Sequence, residues 1–220
     1  MLPQTGERQV SEVIEGIKPN HRHRYQFAYD KIKERYAEPG VQGELVLNVI
    51  DSACGIGYGT MMLAGLGEIV HVAGFDVCPK TIEAANRAYK VENNEFAVCD
   101  LGNPESWAAA TSAVFGDESI DAIVSIETIE HVNDASALIQ RYADTAKFLI
   151  ASVPNEDIVK FHKDKHPFHF RHYTRGEFSE LLSDHGYVIE SWATQYDKIP
   201  GLVYEDADDG MGFVVSAVKV

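Results

Sequence analysis

LVLNVIDSACGIGYG, running from Leu45 to Gly59, decides the fold. Its first half is an apolar run broken once, at Asn48, as in a parallel strand buried on both faces. Its second half sets Gly55, Gly57 and Gly59 at alternate positions of a turn that leads into a short helical segment, Tyr58 to Ala64. Glycines in a strand-to-helix turn let backbone come close to a ligand. A dinucleotide fingerprint places its last glycine at position 60, where this chain has Thr60.

Outward from that turn, the same unit repeats. Strands are predicted over Ile69–Phe75, Glu95–Cys99, Ile120–Ile126 and Lys147–Val153, ending at Asp76, Asp100, Glu127 and Pro154-Asn155. Pro79 opens a helix to about Val91, since proline suits a first helical turn. Strands alternating with helices imply an α/β fold with a mostly parallel, doubly covered sheet. After Arg175–His185, a helix capped by Thr174 and Glu177, come two strand-like segments, Tyr187–Gln195 and Gly212–Val220, with no helix between them. Strands joined by a loop pair antiparallel. Upstream, Tyr25, Tyr29, Ile32 and Tyr36 recur at helical spacing, and Pro39-Gly40 stops them. We read Val10–Glu38 as an N-terminal helical cap too short to bury its own core, within a cap or lid of residues 1–43 on a domain spanning 44–220.

Composition narrows the function. With 34 acidic against 19 basic residues the net charge is −15, which repels extended nucleic acid. No stretch has the length and apolarity of a membrane helix, so no membrane insertion is expected. The polar first residues hold no apolar signal segment. Cys54, Cys78 and Cys99 form no CxxC pair, which suits a reducing cytoplasm. The acidic loop Glu205–Asp209 reads as a solvated surface.

In an open α/β sheet, ligands bind outside the carboxyl ends of the strands, so Asp51, Asp76, Asp100 and Glu127 converge on one crevice. Asp76 stands where an acid accepts ribose hydroxyls. The segments VLNVIDSACGIGYG, GFDVCPKTIEAAN, EFAVCDL and IDAIVSIETIEHV, in that order, resemble the class I S-adenosylmethionine-dependent methyltransferases. The resemblance spans Leu45–Val220 and implies a Rossmann-like seven-stranded sheet whose last strand is antiparallel and inserted between the fifth and sixth. It further implies S-adenosyl-L-methionine as cofactor. Gly55 and Gly57 would line its methionine portion, Asp51 would orient its amino end, Asp76 would hold the ribose, and Asp100 with Leu101 the adenine. Glu127 would contact the cofactor as residues after the fourth strand do, and Arg24 would meet its carboxylate. At Ala53 or Cys54 the family usually has glycine. The leader segments TGER (Thr5–Arg8) and HRHRYQFA (His21–Ala28) resemble bacterial and phage members associated with glycan modification.

Glu127-Thr128-Ile129-Glu130-His131 packs two carboxylates and an imidazole into five residues. His162, His166, His169 and His172 follow within KFHKDKHPFHFRHYT. The E-x-x-E-H pattern resembles ubiquinone-biosynthesis O-methyltransferases and small-RNA 2′-O-methyltransferases. In the latter, a later histidine in the place of His169 completes a divalent-metal site. That resemblance implies Glu127, Glu130, His131 and His169 as ligands of Mg²⁺ or Mn²⁺, chelating a diol and acidifying its hydroxyl. The residues equally permit His131 with Glu130 to act as a metal-free acid–base pair, imidazole titrating near neutrality.

The expected activity is O-methylation of a sugar, polyol, phenol or terminal ribose, on a small-molecule or glycan substrate. A Rossmann oxidoreductase and a non-catalytic cofactor-binding protein are the other readings. The first would want glycine at position 60. Cofactor binding without turnover would mark the second. The sequence leaves the oligomeric state open.

Overall fold

The computed structural model describes residues 9–36, 47–67, 70–196, 201–203 and 207–220. The elements are α1 (Pro19–Tyr36), β1 (Leu47–Ser52), α2 (Tyr58–Ala64), β2 (Val70–Asp76), α3 (Pro79–Ala88) and β3 (Asn94–Val98). They continue with α4 (Pro104–Phe115), β4 (Ala122–Ser125), α5 (Ala135–Thr145), β5 (Phe148–Pro154) and α6 (Arg175–Ser183). The chain closes with β6 (Tyr187–Tyr196), β7 (Gly201–Val203) and β8 (Gly212–Lys219).

The strands form one sheet in the order β3-β2-β1-β4-β5-β8-β6-β7. Pairings among β1 to β5 are parallel, whereas β8 runs antiparallel to both β5 and β6. The Rossmann-like methyltransferase sheet inferred from the sequence is therefore present, with the last strand inserted as expected. The short β7 is an addition, extending the edge by pairing with Thr194–Tyr196 of β6. Every residue of β1 and β5 is buried, including the polar Asn48, Asp51 and Ser52 of β1, as central parallel strands covered on both faces require. Two apolar cores flank the sheet: Phe75, Trp107 and Tyr142 pack on one face, Phe27, Ile32 and Leu63 on the other. Among the described residues no helix is long and apolar enough to cross a membrane.

Among the described residues, the expected helical cap over Val10–Glu38 holds one α-helix, α1. It begins at Pro19, after an irregular stretch with one short 3-10 turn at Ile14–Gly16. Proline fits a first helical position, and it biases the residue before it away from helical geometry. Residues 37–43, with the expected helix stop and domain boundary, lie outside the described residues. The buried side of α1 also differs: Arg24, Tyr25, Phe27, Ala28 and Ile32 are covered, while Tyr29 and Tyr36 are only half-buried.

Candidate functional site

The parallel strands β1 to β5 end at one edge, and a crevice of about 850 Å³ opens there, a size that suits a nucleotide. Among the described residues only two non-glycine positions have positive φ, Ala53 (61°) after β1 and Glu127 (50°) after β4. Both line this crevice. Strained backbone of this kind concentrates at functional sites. The value at Ala53 is one that glycine adopts without strain.

The two glycines differ in role. Gly55 (φ 56°) faces open space, with no heavy atom within 4 Å of a Cβ position, and it lines the crevice. That is a cradle for a ligand. Gly57 (φ 90°) lies instead under β3, where a Cβ would stand 2.6 Å from the Phe96 ring. Gly57, expected to line the cofactor's methionine portion, is required here for packing and is not among the residues lining the crevice. Gly59 likewise admits the ring of Tyr25, whose carbons would be 2.0 Å from a Cβ.

Asp76 ends β2, is 3% exposed, and lines the crevice while accepting the Cys78 N–H at 2.9 Å. Asp100 and Leu101 line the same space, Asp100 accepting the Gly102 N–H at 2.9 Å. Asp51 is different. It is fully buried, and its two oxygens accept Tyr25 O–H at 2.9 Å and Thr60 O–H at 2.6 Å. The carboxylate expected to orient a cofactor's amino end is engaged by α1 and α2. Burial, opposed by these two hydrogen bonds, pushes Asp51 up to about 7. Thr60, which breaks the glycine fingerprint, therefore has a structural task.

Glu127 is bound on two sides. Its N–H donates to Ser152 Oγ, and that hydroxyl donates to Glu127 Oε1, both at 2.9 Å. Its Oε2 lies 3.4 Å from Arg24 Nη2. Burial alone would raise its pKa, but Arg24, His21, Ser152 and His169 outweigh it and hold the carboxyl below its usual value.

The loop between β5 and α6 lies over the turn that follows β4. Phe170 N–H donates to Glu130 O at 2.7 Å, and His131 Nδ1–H donates to Phe168 O at 3.2 Å. These bonds bring His169 against His131, ring centroids 4.4 Å apart. One ligand atom from each of Glu130, His131 and His169 falls within 4.8 Å of the others. Glu127, the fourth expected ligand, is outside that group, because Arg24 and Ser152 take its carboxylate.

The sequence cluster contained a partner whose role only the structure reveals. His172 is buried, and its Nδ1 sits 2.6 Å from Val159 O. A carbonyl only accepts, so Nδ1 carries the hydrogen, and in this tautomer Nε2 is the acceptor. His169 Nδ1–H then donates to it at 2.8 Å, which puts the His169 lone pair on Nε2. Burial, with His131, His172 and His166 nearby, pushes His169 down to about 4, so it stays neutral at physiological pH. His162, by contrast, is exposed and lines neither cavity described here.

A second chamber of about 200 Å³ adjoins the crevice and shares Glu127, His166 and His169 with it. Arg24 lines this chamber and not the crevice. Arg24, expected to meet a cofactor carboxylate, is thus placed at the second chamber and paired with Glu127 between the two spaces.

Residues 50–147 match the family described as "Methyltransferase domain". A Mycolicibacterium smegmatis protein named a "probable S-adenosylmethionine-dependent methyltransferase" is 25% identical over 99% of this chain and 77% of its own length. Among solved structures, the methyltransferase domain of bacterial CtHen1-C is similar in fold, with a TM-score of 0.63 and 17% identity over 91% of this chain and 98% of that one. The magnesium protoporphyrin IX methyltransferase of Synechocystis PCC 6803 with bound SAH gives a TM-score of 0.59 and 19% identity, over 98% of this chain and 90% of that one. The sheet order, the glycine cradle with Asp76 beside it, and these similarities are those of the class I S-adenosylmethionine-dependent methyltransferases.

Proposed function

We propose that the protein methylates a hydroxyl oxygen of a small-molecule or glycan acceptor, held where the crevice meets the second chamber. S-adenosyl-L-methionine, when bound, supplies a methyl group on a positively charged sulfonium. Gly55, Asp76, Asp100 and Leu101 fit it: an open backbone cradle, a shielded acid at the end of β2, and a polar–apolar pair after β3. What remains for the protein is to align the acceptor and ease loss of its proton.

The observation that carries the oxygen reading is the Glu130, His131 and His169 group on the crevice wall. One carboxylate and two imidazoles, their Nε2 lone pairs fixed by the Phe168 and His172 hydrogen bonds, form a donor set for a divalent cation. Such an ion would supply Lewis acidity to a hydroxyl. Two nitrogen donors suit Mn²⁺ or Zn²⁺ better than Mg²⁺, which favours oxygen. The low pKa of His169 supports the ligand role over a base role, since a general base works best when it titrates near the operating pH.

The test is titration of Mn²⁺ into the protein, followed by SAH release on a panel of diols with and without chelator. Glu130→Gln, His131→Ala and His169→Ala should each weaken Mn²⁺ binding and turnover together, whereas His162→Ala should change neither. Turnover that survives complete chelation would overturn the cation reading.

A further inference from the structure

Arg24 is nearly enclosed, its side chain 9% exposed, yet only one arm of its guanidinium is engaged. Nη2 reaches Glu127, while Nη1 is buried without a hydrogen-bond partner among the described residues. Buried donors are almost always satisfied, and a charged one left unmet is costly. Arg24 lines the second chamber, so a small rotation of its guanidinium offers this donor to whatever fills it.

The chamber's other walls define that occupant. Asn20 and Gln195 bring amides, with Gln195 held in place by its Nε2–H donating to Asn20 O at 2.9 Å. Val159 and Met211 bring apolar surface. The charge is already balanced, because Arg24 faces Glu127 at 3.4 Å. An added anion would be left without a counter-charge close to Glu127, on a protein of net charge −15. A neutral oxygen satisfies Nη1 without that penalty. Alternating hydroxyls and C–H faces match walls of mixed amide and apolar character.

We infer that this chamber is the acceptor subsite, and that it takes an uncharged sugar or cyclic polyol with one oxygen accepting from Arg24 Nη1. The inference rests on the methyltransferase reading of the adjoining crevice. It makes Arg24 a residue of acceptor specificity rather than of cofactor capture.

The experiment uses the full chain saturated with SAH. Saturation-transfer NMR and calorimetry would be run with methyl α-D-glucopyranoside, methyl α-D-fucopyranoside and myo-inositol, against the methyl glycoside of D-glucuronic acid. At least one neutral probe should bind, and at least tenfold more tightly than the uronate. Arg24→Lys keeps a positive charge for Glu127 but loses the second nitrogen, so it should weaken neutral-probe binding at least tenfold while SAH affinity stays within about twofold. Met211→Trp, which fills the chamber from its exposed side, should abolish probe binding and spare SAH, and it stands in if Arg24→Lys does not fold. A preference for the uronate, or no binding of any neutral probe, would overturn the inference. So would neutral-probe binding unchanged in both variants. Failure of the wild-type protein to bind SAH would instead defeat the reading of the crevice itself.

Discussion

Replacing Asp51 with Asn should remove a specific pH dependence of stability. The carboxyl has no exposure, and burial raises it from 3.8 to about 7 despite the hydroxyls of Tyr25 and Thr60. Between those values the folded protein holds a proton that the unfolded chain has shed. Stability therefore falls as pH rises through this window, by about 1.4 kcal/mol per unit while the group remains protonated. His21 and His169, both lowered to about 4 mainly by burial, act in the opposite sense. Their unfolded forms bind protons that the folded forms do not, so their contribution grows as pH rises from about 4 to 6.5. The wild-type curve is thus a composite, and its difference from Asp51→Asn isolates the aspartate. Urea unfolding followed by circular dichroism at pH 5, 6, 7 and 8 would measure it. The variant should gain about 3 kcal/mol on the wild type between pH 5 and pH 8. A difference independent of pH would refute the reasoning, since it would mean that Asp51 is ionised throughout.

Three shorter expectations follow from the same geometry. Gly57→Ala should cost at least about 2 kcal/mol, because it combines a left-handed backbone with a Cβ driven into Phe96. Gly55→Ala should cost only about 1 kcal/mol of stability but lower cofactor affinity more, since its Cβ enters open crevice; thermal melts with and without SAH separate the two. His172→Phe should release the His169 tautomer, seen in long-range ¹⁵N–¹H spectra as a change from the Nδ1–H form to a mixture, whereas an unaltered His169 pattern would remove His172 from the relay.

The sheet was legible in the sequence because its signals are local. An apolar run broken only at Asn48 marks β1, and the acids at positions 76, 100 and 127 mark where strands end. Helix α1 was legible from the spacing of Tyr25, Tyr29, Ile32 and Tyr36, but residues 10–18 hold no aromatic to extend that pattern, and Pro19 at the first helical position marks where the helix begins. What stayed hidden depends on tertiary contact. Nothing local shows that Tyr25 and Thr60 converge on Asp51, or that Arg24 pairs with Glu127. His169 was found by its place before Tyr173-Thr174-Arg175, yet the tautomer that gives it meaning is set by a carbonyl at Val159. Glu127 was taken for a ligand because E-x-x-E-H groups it with Glu130 and His131. The left-handed backbone at Glu127 and the Ser152 hydroxyl separate it from them.

The most direct test of the account is calorimetric titration of S-adenosyl-L-methionine and SAH into the wild-type protein and Asp76→Ala. The crevice at the strand ends, with Asp76 shielded at its edge, should bind both ligands. The substitution should weaken each by about 1.5–3 kcal/mol, the scale of hydrogen bonds to a charged group, or roughly 10- to 150-fold. Unchanged affinity in a folded Asp76→Ala, or tight binding of NAD in place of S-adenosyl-L-methionine, would contradict it.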